Sequence, residues 1–301
     1  MKKILIICGA TATGKTKLAV ECAKALHSEV ISADSQLVYR GLNVGTAKPT
    51  EKEIQGVPHH MIDVVSASEN FSVSDFEERA KPIIDRLLAQ GKTPVICGGT
   101  GFYINSILYK LSYGKSKANG EIRTKYEALL QERGKEYLHT ILNEVDAASA
   151  KKLHPNDTKR VIRALEIYEE SGMKKSEQND ELIPRYDYLA VAIDYPRDEL
   201  YRRIDSRVDI MFESGLIDEV KSLLDRGIDE NYQCMQAIGY KEVVESLKNG
   251  DNDSTMRDII KKNTRHYAKR QITFFKKLKN IVWLSPDEAT AQNVLLKLLG
   301  D

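Results

Sequence analysis

Apolar residues recur along this chain with two periods, and the switches between them predict its architecture. Ile4-Leu5-Ile6-Ile7-Cys8 is a short unbroken apolar run, the pattern of a strand buried on both faces. Residues 17–26 then read as an amphipathic helix, and Glu29-Val30-Ile31-Ser32-Ala33 as a second strand ending at Asp34-Ser35. Helical spacing returns over 75–88, with Pro82 inside it as a source of a kink. Gly91 stops that helix, and Thr93-Pro94-Val95-Ile96-Cys97 forms a third strand before Gly98-Gly99-Thr100-Gly101. Strands alternating with helices predict a parallel sheet covered on both faces.

From about Tyr113 the pattern changes. Residues 121–180 are polar and helical in period, and the next clear strand is 188–193. Long helices are expected at roughly 198–226 and 254–279, then a last strand at Ile281-Val282-Trp283-Leu284 and a terminal helix. The expected fold class is therefore α/β: a P-loop NTPase-like parallel sheet flanked by helices, with a helical insertion domain. The core domain would comprise 1–113 and 184–301, and the insertion 114–183.

Between the first strand and the first helix stands a full G-x-x-x-x-G-K-[ST] match: Gly9, Ala10, Thr11, Ala12, Thr13, Gly14, Lys15 and Thr16. Gly9 and Gly14 let the backbone curl so that its N–H groups converge on phosphate oxygens. The helix N-terminus adds partial positive charge, Lys15 a full one, and the Thr16 hydroxyl can hold Mg²⁺. This predicts a di- or triphosphate ligand without saying which. In parallel sheets ligands lie beyond the C-terminal strand ends. The loop, Asp34-Ser35 and Gly98–Gly101 all fall at such ends, which points to one active site.

Asp34 places a carboxylate near the transferred group, or it caps the turn that follows the strand. Gly98–Gly101 either admits a ligand close to the backbone or simply makes a tight strand-to-helix turn. His59 and His60 follow Pro58 in an expected loop, and no cysteine or acidic cluster suggests metal ligation there.

Charge changes the picture in the second half. The formal net charge of +1 conceals nine Lys or Arg against the single acid Asp258 from Arg257 to Lys279. Lys261, Lys262, Arg265, Lys269 and Arg270 share that helix with Tyr267, Phe274 and Phe275. They form either a solvated face or a surface for phosphate backbones. A second basic stretch runs from Lys151 to Arg163, with Arg160 and Arg163 three apart on one helix face; an acidic run lies at 177–181. The four cysteines have no paired short spacing and read as small core residues, without zinc or disulfides. No apolar stretch approaches the ~20 residues that span a bilayer, and the N-terminus lacks signal-peptide architecture. A cytoplasmic protein with no membrane partner is expected, and nothing demands more than a monomer.

Together these residues resemble the tRNA dimethylallyltransferases, also called tRNA isopentenyltransferases, in their short bacterial-type form. The resemblance covers nearly the whole chain. Beyond the loop at 9–16 it rests on Ser32–Ser35, Val38-Tyr39-Arg40-Gly41, Gly45-Thr46-Ala47-Lys48-Pro49, Pro58-His59-His60 and Gly98–Tyr103. It continues through Leu153-His154-Pro155-Asn156-Asp157, Arg163-Ala164-Leu165-Glu166, Ala237–Glu242, Thr264-Arg265 and Tyr267–Gln271.

The resemblance implies transfer of a dimethylallyl group to the N6 amine of the adenosine 3′ of the tRNA anticodon. The loop's ligand would then be dimethylallyl diphosphate with Mg²⁺, bound partly by Thr16. By resemblance Asp34 is the general base and Thr100 contacts the acceptor adenosine. Asp34, Ser35, Gln36 and Leu37 would line its pocket. Lys159, Arg160, Val161, Ile162 and Arg163 correspond to a tRNA-contacting stretch, with Arg123 a further contact. Arg207 is a second diphosphate ligand or an exposed helical salt bridge. Many family members carry Gln as the fourth residue of Asp-Ser-x-Gln, whereas here Gln36 is third and Leu37 fourth. A small-molecule kinase or a nucleotide-switched RNA-binding module could also use the loop, but neither accounts for the basic second half.

Overall fold

The computed structural model describes residues 3–111, 120–178 and 182–300. The expected domain boundary at 113/114 and residues 179–181 of the acidic run lie outside the described residues. The chain divides into two compact units, Met1–Leu108 with Pro184–Asp301, and Tyr109–Ile183.

The first unit is built on a six-stranded sheet. Its strands are β1 (Lys3–Cys8), β2 (Val30–Ser32), β3 (His59–His60), β4 (Val95–Cys97), β5 (Asp187–Ile193) and β6 (Ile281–Leu284). The order is β3-β2-β4-β1-β5-β6, and every pairing is parallel. The central strand β1 is apolar from Ile4 to Cys8, and these five residues are fully buried, as in a strand covered on both faces.

In chain order the helices of this unit's first half are α1 (Lys15–Ala25), α2 (Glu51–Ile54), α3 (Val73–Ala89) and α4 (Gly101–Leu108). On one sheet face, Leu5, Ile7, Val95, Cys97, Val191 and Ile193 pack against Leu18, Ala19, Cys22 and Ala23 of α1. Helix α3 begins at a capping box, Ser72 with Asp75, and buries Phe76, Ala80, Ile84 and Leu87 at helical spacing. It continues past Pro82 to Ala89. The expected loop around His59-His60 is instead the edge strand β3. Its short pairing with β2 is joined by a 2.7 Å contact between His60 Nε2 and Glu29 Oε2.

The second unit is helical: α5 (Gly120–Val145), broken at Gly134 (φ 81°), α6 (Ala147–Lys152) and α7 (Thr158–Ser171). Its core joins Tyr126, Leu138, Leu142, Ala150, Val161, Ile162, Ala164 and Leu165. Glu166, fully buried, accepts Nε and Nη2 of one Arg123 guanidinium edge (2.7 and 3.1 Å) and Arg163 at 3.1 Å. Val161 and Ile162, 1% and 4% exposed, correct the expectation that they contact tRNA. Both belong to the apolar stripe that holds α7 to α5, and no side-chain surface remains for a ligand.

Returning to the first unit, α8 (Arg197–Glu213) and α9 (Leu216–Asp225) replace the single helix expected over 198–226. Gly215 (φ 92°) takes the left-handed conformation that ends one helix and starts the next. Then follow α10 (Tyr240–Asn249), α11 (Asp253–Phe275) and α12 (Ala291–Leu299). α8 packs on α11, and α12 on α1. Among the described residues no helix is long and apolar enough to cross a membrane.

Candidate functional site

Three consecutive positions in the sheet end in turns that converge. β1 delivers Gly9, β2 delivers Asp34 and β4 delivers Gly98, all at C-terminal strand ends. The loop after β1 is curled by Gly9 (φ 116°), Ala12 (φ 63°) and Gly14 (φ 88°). Ala12 holds this left-handed conformation although it carries a Cβ; Arg203 Nε donates to its carbonyl at 2.8 Å. Lys15 Nζ and the Thr13 hydroxyl both donate to the Ala10 carbonyl. Thr16 is exposed on the first turn of α1.

One amide of this loop is already committed. The Thr11 N–H donates to Gln271 Oε1 at 2.9 Å, and Gln271 Nε2 donates to the Gly99 carbonyl at 3.0 Å. Thr11 itself still borders both cavities described below.

The turn after β4 is glycine-rich for close packing. A Cβ on Gly98 would lie 2.1 Å from the Ala33 carbonyl oxygen, on Gly99 2.1 Å from Gln271 Nε2, and on Gly101 2.2 Å from the Phe274 ring. Of the two readings open at the sequence, tight packing is the one these contacts support. Thr100 is thereby pressed against the acidic turn. Its Oγ1 accepts from the Ser35 N–H at 3.0 Å and donates to Ser35 Oγ at 3.3 Å. Asp34 Oδ1 accepts from the Gln36 N–H at 2.8 Å, so the carboxylate caps its own turn while still lining the site. Gln36 Oε1 is buried without a hydrogen-bond partner among the described residues.

Two cavities meet at this point. One, of about 270 Å³, is lined by Gly14, Lys15, Thr16, Asp34, Leu37, Gly98, Gly99 and Gln271. The other, of about 310 Å³, is lined by Asp34, Ser35, Gln36, Arg270 and the apolar Ile204, Val208, Met211 and Ile260. Thr11, Asp34, Thr46, Arg207 and Tyr267 border both. Arg207 is thus brought to the loop from α8, where sequence left it open between a ligand and a surface ion pair. Burial opposes the Arg207 charge, and the Asp34 carboxylate favours it. Burial likewise holds Lys15 below the ordinary lysine range.

Residues that local pattern did not single out complete the site. Glu219 on α9 accepts the consecutive N–H groups of Asn43, Val44 and Gly45 at 2.8–3.0 Å, and Tyr240 donates to it at 2.6 Å. This clamp sets the loop that presents Thr46 to both cavities. Arg203 and Glu219 reach the site from helices far along the chain, so no contiguous motif marks their contacts; Tyr267 and Gln271 stand in the stretch 267–271 that carries the resemblance, which assigns them no contact. Lys159 and Arg160 are exposed on the insertion unit, Arg160 pairing with Asp157 at 3.1 Å. Arg123 and Arg163 are turned to Glu166 within the same unit.

Fold and site define an α/β protein whose glycine-rich loop after β1 shares a cavity with a carboxylate. The model of the IPP transferase family matches residues 37–278. The chain belongs to that family. It is 43% identical to a tRNA dimethylallyltransferase of Acetivibrio thermocellus over 99% of this chain and 96% of that protein. With a tRNA dimethylallyltransferase of Alkaliphilus oremlandii the identity is 45%, over 94% and 91%. Among solved structures it is similar to the full-length tRNA isopentenylpyrophosphate transferase of Bacillus halodurans. There the TM-score is 0.75, with 41% identity covering 100% of this chain and 96% of that one. A eukaryotic dimethylallyltransferase acting on tRNA gives a TM-score of 0.80 at 30% identity, over 96% of this chain and 74% of that one.

Proposed function

We propose that this chain transfers the dimethylallyl group of dimethylallyl diphosphate to the N6 amine of the adenosine 3′ of a tRNA anticodon. The observation that carries the reading is the shared wall at Asp34, which puts a carboxylate and an anion-binding loop on one cavity. We read the fold as P-loop NTPase-like, supported by the loop's place between β1 and α1 in a parallel sheet.

The adenine N6 lone pair is delocalised into the ring, so the amine needs proton removal as it attacks. Asp34 takes that proton, a contribution typically worth ~10²–10⁴-fold. The N6–C bond forms at the allylic carbon while the C–O bond to diphosphate breaks and its electron pair leaves with the diphosphate. Lys15, Arg207 and the free loop amides stabilise the charge growing on the departing oxygen. Gly9, Ala10, Ala12, Thr13 and Gly14 shape that cradle. Gln36 Oε1 offers an unpartnered acceptor to the base amine, and Thr100 holds the turn that bears Asp34.

The donors present fit Mg²⁺. Mg²⁺ takes one or two protein oxygens and completes its shell with phosphate and water. Thr16 lines the cavity beside the loop and would supply such an oxygen. The ion would add positive charge beside the diphosphate. We assign the insertion unit to the tRNA anticodon stem-loop, through the exposed Lys159 and Arg160. The target base must leave the loop stack to reach Asp34.

Incubation of unmodified tRNA with labelled dimethylallyl diphosphate tests the reading, with ATP in a parallel arm. Label entering tRNA without ATP is expected. ATP-dependent phosphorylation of a small molecule in its place would overturn it.

A further inference from the structure

We infer that Gln271 of α11 is a positioning residue that sets the loop at 9–16 in register with the turns carrying Thr100 and Asp34. The inference rests on the proposed transfer reaction for its kinetic consequence, and on geometry alone for its structural one.

Gln271 lies 260 positions from Thr11, yet its amide is oriented at both ends. Its Oε1 faces an N–H and its Nε2 faces a carbonyl, so the flip of the amide is set by its partners. The side chain is only 5% exposed, where an unmade hydrogen bond is costly. Gly99 admits it, since a Cβ there would strike Nε2 at 2.1 Å. One helical turn earlier, Tyr267 borders both cavities. Thr100 receives the Ser35 N–H, next to Asp34. The loop is thus hydrogen-bonded through Gln271 to Gly99, and the next residue, Thr100, is hydrogen-bonded to the acidic turn.

Such a path matters because transfer needs the donor carbon and the acceptor amine aligned at once, and a misplacement of about 1 Å can cost about 100-fold. Gln271 itself offers the diphosphate nothing that the loop lacks. Its loss is therefore expected in turnover and not in donor binding.

The test uses Gln271→Met, which keeps the volume and loses both hydrogen bonds, and Gly99→Ala, which displaces the amide without altering it. Each should lower kcat by about tenfold or more while the Kd for inorganic diphosphate and the KM for tRNA stay within about threefold. The double variant should be no worse than the stronger single one. Unchanged kcat, or diphosphate binding lost in the same ratio as kcat, would overturn the inference. A second measurement needs no turnover. Inorganic diphosphate should slow amide exchange at Ser35 and Thr100 in the native chain and not in Gln271→Met. An equal effect in both would also overturn it. A native chain that transfers no label to tRNA would sink the proposed function alone, leaving the exchange result to decide the bridge.

Discussion

The Asp34 carboxylate accepts the backbone N–H of Gln36 through one oxygen at 2.8 Å, so one side chain both caps a turn and faces the cavity. An asparagine can keep the cap through its carbonyl oxygen but cannot take a proton at neutral pH. Asp34→Asn should therefore retain inorganic diphosphate binding and lose kcat by about 10²–10⁴-fold, as judged by single-turnover label transfer. Turnover within about threefold of native would remove Asp34 from the mechanism.

The Glu219 clamp predicts a different signature. Removing the carboxylate strands three backbone donors and the hydroxyl of fully buried Tyr240. Glu219→Ala should destabilise the fold by about 3 kcal/mol in urea unfolding. Gly45→Ala should cost about 1–3 kcal/mol by overpacking, because its Cβ would meet the Tyr240 ring at 2.5 Å. A melting midpoint unchanged in both would show that the loop is held by other contacts.

On the insertion unit, charge and packing separate cleanly. Lys159→Ala with Arg160→Ala should leave stability nearly unaltered, weaken tRNA binding and flatten its salt dependence by about one to two units of slope. Ile162→Ala should do the reverse, costing about 2–5 kcal/mol with the salt slope intact. An unaltered slope in the double variant would return Lys159 and Arg160 to a solvated face.

Glu29 makes a pH prediction. It meets Arg86 at 2.8 Å and His60 at 2.7 Å, and the Arg86 hydrogen bond leads in holding its carboxyl down from an ordinary 4.5 to about 2. A depressed folded value contributes stability that is present above the unfolded value and lost as pH falls toward the folded one. Between about pH 5 and pH 2 the native chain should lose roughly 1–2 kcal/mol from this group, allowing for solvent screening. Glu29→Gln should lack that portion of the acid slope in stability measured across the same window. An identical slope would show that other carboxylates carry it.

Much of the frame was legible in sequence because it rests on local rules. Unbroken apolar runs marked β1 and β4, and the loop motif located the turn between β1 and α1. The insertion showed as a change of period. The errors have local causes too. Gly215 sits in an otherwise helical pattern, and periodicity over 198–226 concealed its left-handed turn. Val161 and Ile162 adjoin basic residues in a stretch chosen as a block, and helical spacing alone separates their buried face from the exposed Lys159 and Arg160.

By itself the sequence determined the strand-loop-helix unit at 3–25, the acidic and glycine-rich strand ends, and the family resemblance. The first two depend on residues within one turn or one strand of each other, where backbone geometry follows from contiguous side chains, and the resemblance is a series of such short stretches in order. The tertiary structure alone decided that Gln271 holds Thr11 and Gly99, that Glu219 holds 43–45, and that Glu166 gathers Arg123 and Arg163. Most of these contacts join residues more than 40 positions apart. They arise when helices packed for apolar burial bring polar groups within reach, and once buried those groups must find partners. No linear pattern records which partner that will be.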